Sequence, residues 1–431
     1  FGRRVRGPQQ SLWSSSWLCR LWSAKAETPL VGEYTAVTAE LWRRRVEAVR
    51  DATAGGDSAT VATVRNLVPK PPERLSVTYP FANDETLREE YASPWQTVRL
   101  GRLLEDLDSL AGNLAFSHAD DADASTAPLL LVTAAVESVK LHRRMDLSRN
   151  LTLSGAVDWV GRSSLVIGME VREEGEEAEA EPMLSAAFTF VARDPVTGKS
   201  AALNPLLLPP GEARAAAANE RAAAMVAARK ARRTAGKGDG SGGGDAEAQE
   251  EFVRAALEEA ALARELPALR PKDAPPEQER LFVQETMLAN SFICQPQTRN
   301  LHGRVFGGFL CRRAFELAFA CAYCFGGSRP QFVSVGDITF NLPVSVGSLL
   351  RLNAKVVRVE REAGAAAAGA ALVTVAVRAV VVSPEQRKSA ISNGFVFTLR
   401  IEEPAWGTEP PRLLPASREE AEVLWRAREN P

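Results

Sequence analysis

Apolar residues recur at three- and four-residue spacing across 101–116, where Leu103, Leu104, Leu107, Leu110 and Leu114 share one face, so a helix is expected there. Residues 129–141, 151–160, 163–172 and 183–193 follow as β-rich runs, with a possible first strand at 76–81. The same sequence of patterns returns later. Residues 281–293 suit a strand, 306–325 form a long apolar helical stretch, and strand-like runs occupy 331–341, 348–361, 372–382 and 393–401. Within 348–361, Leu350, Leu352, Ala354 and Val356 alternate with Arg351, Asn353 and Lys355, the period-two signature of a half-buried strand. Both units read strand, long helix, four strands. Gly101 and Gly303, 202 positions apart, are taken as equivalent points of an internal duplication.

These patterns divide the chain into an arm (1–72), a first unit (73–210), a linker (211–277), a second unit (278–403) and a tail (404–431). One amphipathic helix is expected in the arm near 35–51. In the linker, residues 212–233 hold eleven alanines and six basic side chains, a strong helix signal. A glycine-rich turn follows at 236–245, then an acidic helix at 246–266, and the two helices are expected to pair, basic against acidic. Six glutamates crowd residues 173–181, as suits a solvated hairpin loop.

Composition narrows the class. The 431 residues carry 52 basic and 54 acidic side chains, a net charge of −2, which argues against nucleic-acid binding as the main role. No apolar run reaches membrane-spanning length. Residues 1–26 are rich in Arg and Ser and lack acids, the composition of an organelle transit peptide, and a first residue of Phe1 fits a processed or truncated product. Five cysteines without a disulfide spacing fit a reducing compartment, and Cys321 and Cys324, although spaced as CxxC, lie in an apolar helix where buried packing is the better reading. With only three histidines, zinc sites and a Ser-His-Asp triad are hard to assemble, and no metal or redox cofactor is expected.

The chemistry concentrates in TRNLHGRVFGGFL at 298–310. Asn300 and Gly303 precede the pair Gly307 and Gly308 at a helix start. A helix N-terminus offers free N–H groups and partial positive charge, and glycine lets a ligand approach the backbone, so this junction suits a carbonyl becoming an oxyanion. Tight packing at a loop-to-helix junction explains the same residues equally well. Downstream, Asp337 is an acid in an apolar strand, a position that calls for a partner or a task. Apparent phosphate-loop (197–200) and GxGxxG (238–243) matches lack their required context and are set aside.

Residues 300–350 (NLHGRVFGGFLCRRAFELAFACAYCFGGSRPQFVSVGDITFNLPVSVGSLL) resemble the hotdog-fold acyl-coenzyme A thioesterases. The first unit agrees through TVRLGRLLEDLDSL at 97–110, AVDWVG at 156–161, FVARD at 190–194 and Asn204-Pro205. Together they are similar to the mitochondrial double-hotdog group over residues 75–210 and 278–402.

The resemblance implies an α+β tandem hotdog, two antiparallel sheets each wrapped around a long helix, with active sites between the halves. It implies hydrolysis of acyl-CoA to fatty acid and CoA, with coenzyme A entering only as part of the substrate. Asn300 matches the family's catalytic Asn and Asp337 its Asp, which would activate water or attack directly. Gly308 N–H and Asn300 would hold the thioester oxygen, Gly303 and Gly307 would line the substrate, and Arg312 would meet a CoA phosphate. Equating Gly101 with Gly303 sets Glu105 and Asp106 in place of Gly307 and Gly308. It sets Glu137 or Ser138 opposite Asp337, charge favouring the first and strand parity the second, so Glu105, Asp106 and Glu137 are further candidate acids. The implied setting is mitochondrial, in the matrix or on the inner membrane, as a homo-oligomer. The alternative is a hotdog protein with reduced chemistry that docks, through its Trp-rich arm and linker, to a larger mitochondrial assembly.

Overall fold

The computed structural model describes residues 65–429 except 122–125, 127, 178, 196, 236–242, 267–278, 299–303, 337, 363–368 and 408. The expected arm helix at 35–51, the transit-like segment and most of the glycine-rich turn lie outside the described residues. The elements are, in chain order, β1 (Arg74–Tyr79), α1 (Glu85–Tyr91), α2 (Leu100–Ala119), β2 (Leu130–Leu141), β3 (Leu151–Val160), β4 (Ser164–Glu173) and β5 (Leu184–Arg193). Then come α3 (Ala213–Ala235), α4 (Gly243–Glu265), β6 (Arg280–Phe282), β7 (Leu288–Ile293), α5 (Gly307–Gly326), β8 (Gln331–Val335) and β9 (Ile338–Phe340). The chain closes with β10 (Leu349–Arg361), β11 (Ala371–Ser383), β12 (Lys388–Ile401), β13 (Arg412–Leu414) and α6 (Arg418–Glu429).

Eleven strands form one sheet in the order β1-β3-β4-β5-β2-β8-β12-β11-β10-β7, with β9 bridging β12 and β2. Its pairings are antiparallel, including the central junction where Val139 faces Val335 and Lys140 faces Ser334. Read inward from either edge, the order is the same: the strand before the long helix, three hairpin strands, then the strand after the helix. The long helices α2 and α5 have 20 residues each. Helix α2 is buried on nearly every side, as a helix enclosed by a sheet must be. One core runs through both halves, joining Leu103, Leu107 and Phe188 to Cys311, Phe315 and Phe397.

The periodic segments fold much as their patterns predict, and irregularities fall where side chains or glycine interrupt pairing. The strand expected at 281–293 is broken by a 3-10 turn at Val283–Thr286, where Thr286 Oγ1 donates to Val283 O and accepts from Val356 N. The strand expected at 331–341 divides into β8 and β9 beside Gly336, whose N–H pairs with Val396 O. Short α1 carries no long apolar pattern; it is started by Asp84, whose side chain accepts from Leu87 N. The expected tail contains β13, parallel to β6, and helix α6.

Among the described residues, the main contacts of the two linker helices are with other elements. Basic α3 packs on β3, sending Arg214 to Glu170 (2.9 Å) and Arg229 to Glu137 (3.0 Å) on the sheet's outer face. Acidic α4 packs on α6 and β13, through Glu250 to Arg418, Glu259 to Arg412 and Phe252 against Trp425. Their charges are matched, each by a different surface.

Candidate active site

Helices α2 and α5 run antiparallel and touch through small residues. A Cβ on Gly101 would lie 3.0 Å from Arg312 Cγ, and one on Gly308 would lie 2.9 Å from Glu105 Cα. These two contacts are related by an offset of 308 − 101 = 207, against the 202 expected from Gly303. Gly303 lies outside the described residues, and the contact equates Gly101 with Gly308, each in the first turn of its helix. Under that offset Glu105 matches Arg312 and Asp108 matches Phe315. Glu105 and Arg312 form an ion pair at 2.8 Å between the helices, and both side chains are nearly buried.

That pair bears on two expected roles. Arg312 Nη1 donates to Glu105 inside the helix contact. Glu105 holds the helices together and is not aimed at the helix start as a second acid. Asp106 faces the core of the first half, where Tyr79 donates at 2.9 Å and Tyr91 also donates to the same Oδ2. Burial raises its pKa to about 7 against the pull of those two hydrogen bonds. Glu137 lies on the outer face of β2, bound by Arg229 and by Thr189 Oγ1 at 3.2 Å. Strand parity turns it away from both long helices, so it is excluded from the helix-start chemistry.

Among the described residues, the acid bonded at the helix start is Asp108. Its side chain is 2% exposed. Asp108 Oδ2 accepts from Gly308 N–H at 2.7 Å, across 200 residues of sequence, and Asp108 Oδ1 accepts from Thr133 Oγ1 at 3.1 Å. An anion so placed gains from the partial positive charge of the α5 N-terminus and from a charge-assisted bond. The absence of side chains at Gly307 and Gly308 permits the approach: a Cβ on Gly307 would stand 3.2 Å from Asp108 Oδ2 and 3.3 Å from Phe340 Cζ. Phe340 on β9 thus forms an apolar wall beside the carboxylate.

Gly307 and Gly308 stand at this helix start, where the Gly308 N–H expected to hold a thioester oxygen is bonded to Asp108. Asn300, Gly303 and Asp337 lie outside the described residues. Sequence reading missed Asp108, although an acid set among Leu104, Leu107, Leu110 and Ala111 on a buried helix is the available signal. Among the described residues no cluster of three or more His, Cys, Asp or Glu side chains could hold a metal, and no helix is long and apolar enough to cross a membrane. Of the CxxC pair, Cys321 is buried with its thiol pushed up to about 12, whereas Cys324 is exposed, so only the first follows the expected packing role.

Comparison with known proteins gives this geometry its class. No family model matches the chain. Acyl-coenzyme A thioesterase 2, chloroplastic, of Humulus lupulus is 36% identical over 414 residues, 93% of this chain and 88% of the relative. Acyl-coenzyme A thioesterase 4, mitochondrial, of the same organism is 38% identical over 397 residues, covering 89% and 71%. Acyl-coenzyme A thioesterase 9, mitochondrial, of Homo sapiens is 33% identical over 339 residues, covering 77% and 73%. The chain belongs to the acyl-coenzyme A thioesterase family. Among solved structures, the 12:0-ACP thioesterase from Umbellularia californica matches with a TM-score of 0.43 at 10% identity, over 76% of this chain and 94% of that one. An acyl-CoA hydrolase from Staphylococcus aureus matches with a TM-score of 0.30 at 19% identity, over 35% and 87%.

Proposed function

We propose that this enzyme hydrolyses acyl-CoA thioesters at the junction of α2 and α5, with Asp108 as the reacting carboxylate. The observation that carries this reading is the 2.7 Å bond from Gly308 N–H to Asp108, which sets an acid from the first half at the helix start of the second. The thioester carbonyl enters at the first turn of α5. Its amide N–H groups, with Asn300, stabilise the oxyanion as water adds. Asp108 takes the proton from that water, its carboxylate oriented by Thr133, and returns it to the departing CoA thiolate. Phe340 shields the reacting carbon from bulk solvent.

The inward-reading strand order and the enclosed long helices support a tandem hotdog, the finer architecture expected from the sequence. The relatives' names support a mitochondrial location, and we carry forward a homo-oligomer, checked by light scattering. The structural-subunit alternative has no observation in its favour.

Thiol release from short- to long-chain acyl-CoA tests the assignment. Asp108→Asn is expected to lower kcat by about 100-fold or more, and Asn300→Ala by about tenfold to 100-fold. If Asp108→Asn retains wild-type turnover while Asp337→Asn loses it, Asp337 is the acid and this site assignment fails.

A further inference from the structure

A second constellation lies on the outer face of the first half, on the side of the sheet opposite Asp108. His142 follows the end of β2, and its backbone N–H bonds to Met183 O at 2.9 Å. This ties it beside β5. There His142 Nε2 lies 2.9 Å from Ser185 Oγ, and His142 Nδ1 lies 3.0 Å from Glu181 Oε1. A carboxylate on Nδ1 selects the tautomer with its proton on that nitrogen, leaving Nε2 to accept from the serine hydroxyl. His142 is 17% exposed in its side chain and Glu181 67%, so the group opens to solvent through Glu181.

The neighbouring charges are arranged to suit it. Lys140 is the direct ladder partner of Ser185 on β2, so the two side chains stand on one face. Glu170 is the partner on the other side, and its charge is met by Arg172 at 3.0 Å and Arg214 at 2.9 Å. Arg143 binds Glu176 and Glu181 O, fixing the loop that carries the carboxylate. Thus a cationic side chain is borne on the serine's face of the sheet while the nearby Glu170 is already paired.

We propose that Ser185, His142 and Glu181 form a second nucleophilic centre that accepts an acyl group from an activated ester or thioester. Ser185 Oγ bonds to the acyl carbon as its proton passes to His142 Nε2, with Lys140 facing the developing oxyanion. The bond from that carbon to the leaving sulfur or oxygen breaks, and the leaving group departs with the proton as a thiol or alcohol. Water then cleaves the serine ester by the same route, releasing the carboxylic acid and restoring Ser185. The centre shares no side chain with the Asp108 site and does not depend on it.

Labelling with an alkyl fluorophosphonate, mapped by peptide mass spectrometry, tests this on the full chain. The label is expected on Ser185 in wild type and equally in Asp108→Asn. It is absent in Ser185→Ala and at least about tenfold slower in His142→Gln. Ser185→Ala is expected to keep acyl-CoA turnover within about twofold of wild type. Glu181→Gln, a surface change that leaves the fold intact, is expected to slow labelling and supplies the test if Ser185→Ala does not fold. No label on Ser185, or a labelling rate unchanged in both His142→Gln and Glu181→Gln, overturns the proposal and makes the three side chains a structural hydrogen-bond chain.

Discussion

The two ends of the α2–α5 pair are built alike and finished differently. At one end Gly308 meets Glu105 and presents its amide to Asp108. At the other, Gly101 meets Arg312, and the position matching Asp108 holds Phe315, whose ring would lie 3.3 Å from a Cβ on Gly101. Phe315 packs against Phe319, Phe332 and Phe397, with ring centroids 5.7–6.2 Å apart. One end keeps a carboxylate and a polar neighbour, Thr133; the other is filled with aromatic rings. The two ends share a glycine-to-helix contact and differ in the side chain one turn or two into the opposite helix, Asp108 at one and Phe315 at the other.

The sharpest way to break this comparison is to put an acid at the aromatic end. Phe315→Asp is expected to cost about 4 kcal/mol or more, because it removes a packed ring and buries an unpaired carboxylate. It is expected to add no turnover, which denaturant melts and thiol release together would show; any gain in rate would mean the second end is a working site short of an acid. Next in size is the ion pair at the centre. Arg312→Met strands Glu105 between the helices and is expected to cost about 3 kcal/mol in urea denaturation. Turnover should fall with it, since the pair sets Gly308 against Asp108.

The glycines sharpen the contrast further. Gly308→Ala pushes against the Glu105 backbone, which cannot give way, for an expected loss of about 1–3 kcal/mol. Gly101→Ala meets side chains, the Arg312 stem and the Phe315 ring, and is expected to cost less than Gly308→Ala. Equal losses in thermal melts would show that the two helix contacts are not mechanically different. The smallest effect concerns Asp106. Its pKa is raised to about 7 in the folded chain, so the folded form stays protonated while the unfolded chain ionises from its ordinary value of 3.8. Stability from this group is fully present at low pH and is lost as pH rises towards 7. The melting temperature of Asp106→Asn minus that of wild type is therefore expected to grow from pH 4 to 7 and level off above. A flat difference would place the ionised form in the core.

Much of the architecture was legible because its patterns are local. Five leucines of α2 fall on one helical face, and the alternation at 349–361 can be satisfied only by a strand with one side in the core. The Gly307-Gly308 start of α5 was legible for the same reason, since small residues at a helix N-terminus mark a place where something comes close to the backbone. The basic and acidic linker helices were legible as helices but not as partners, because surface charge states what a face can pair with and leaves open which of several opposite faces it reaches.

The site itself divides along the same line. The sequence alone determined that a helix start with paired glycines lay in the second half and that several carboxylates were available to act on it. Only the tertiary structure placed those of them that it describes, Asp337 lying outside the described residues. It set Glu137 on the outer face by strand parity, sank Asp106 beneath two tyrosines, bound Glu105 to Arg312, and brought Asp108 to Gly308 across 200 residues. The physical reason is that neighbouring residues settle backbone conformation and which face a side chain takes, whereas the partner of a buried charge is settled by how two helices pack, a contact to which every layer of the core contributes.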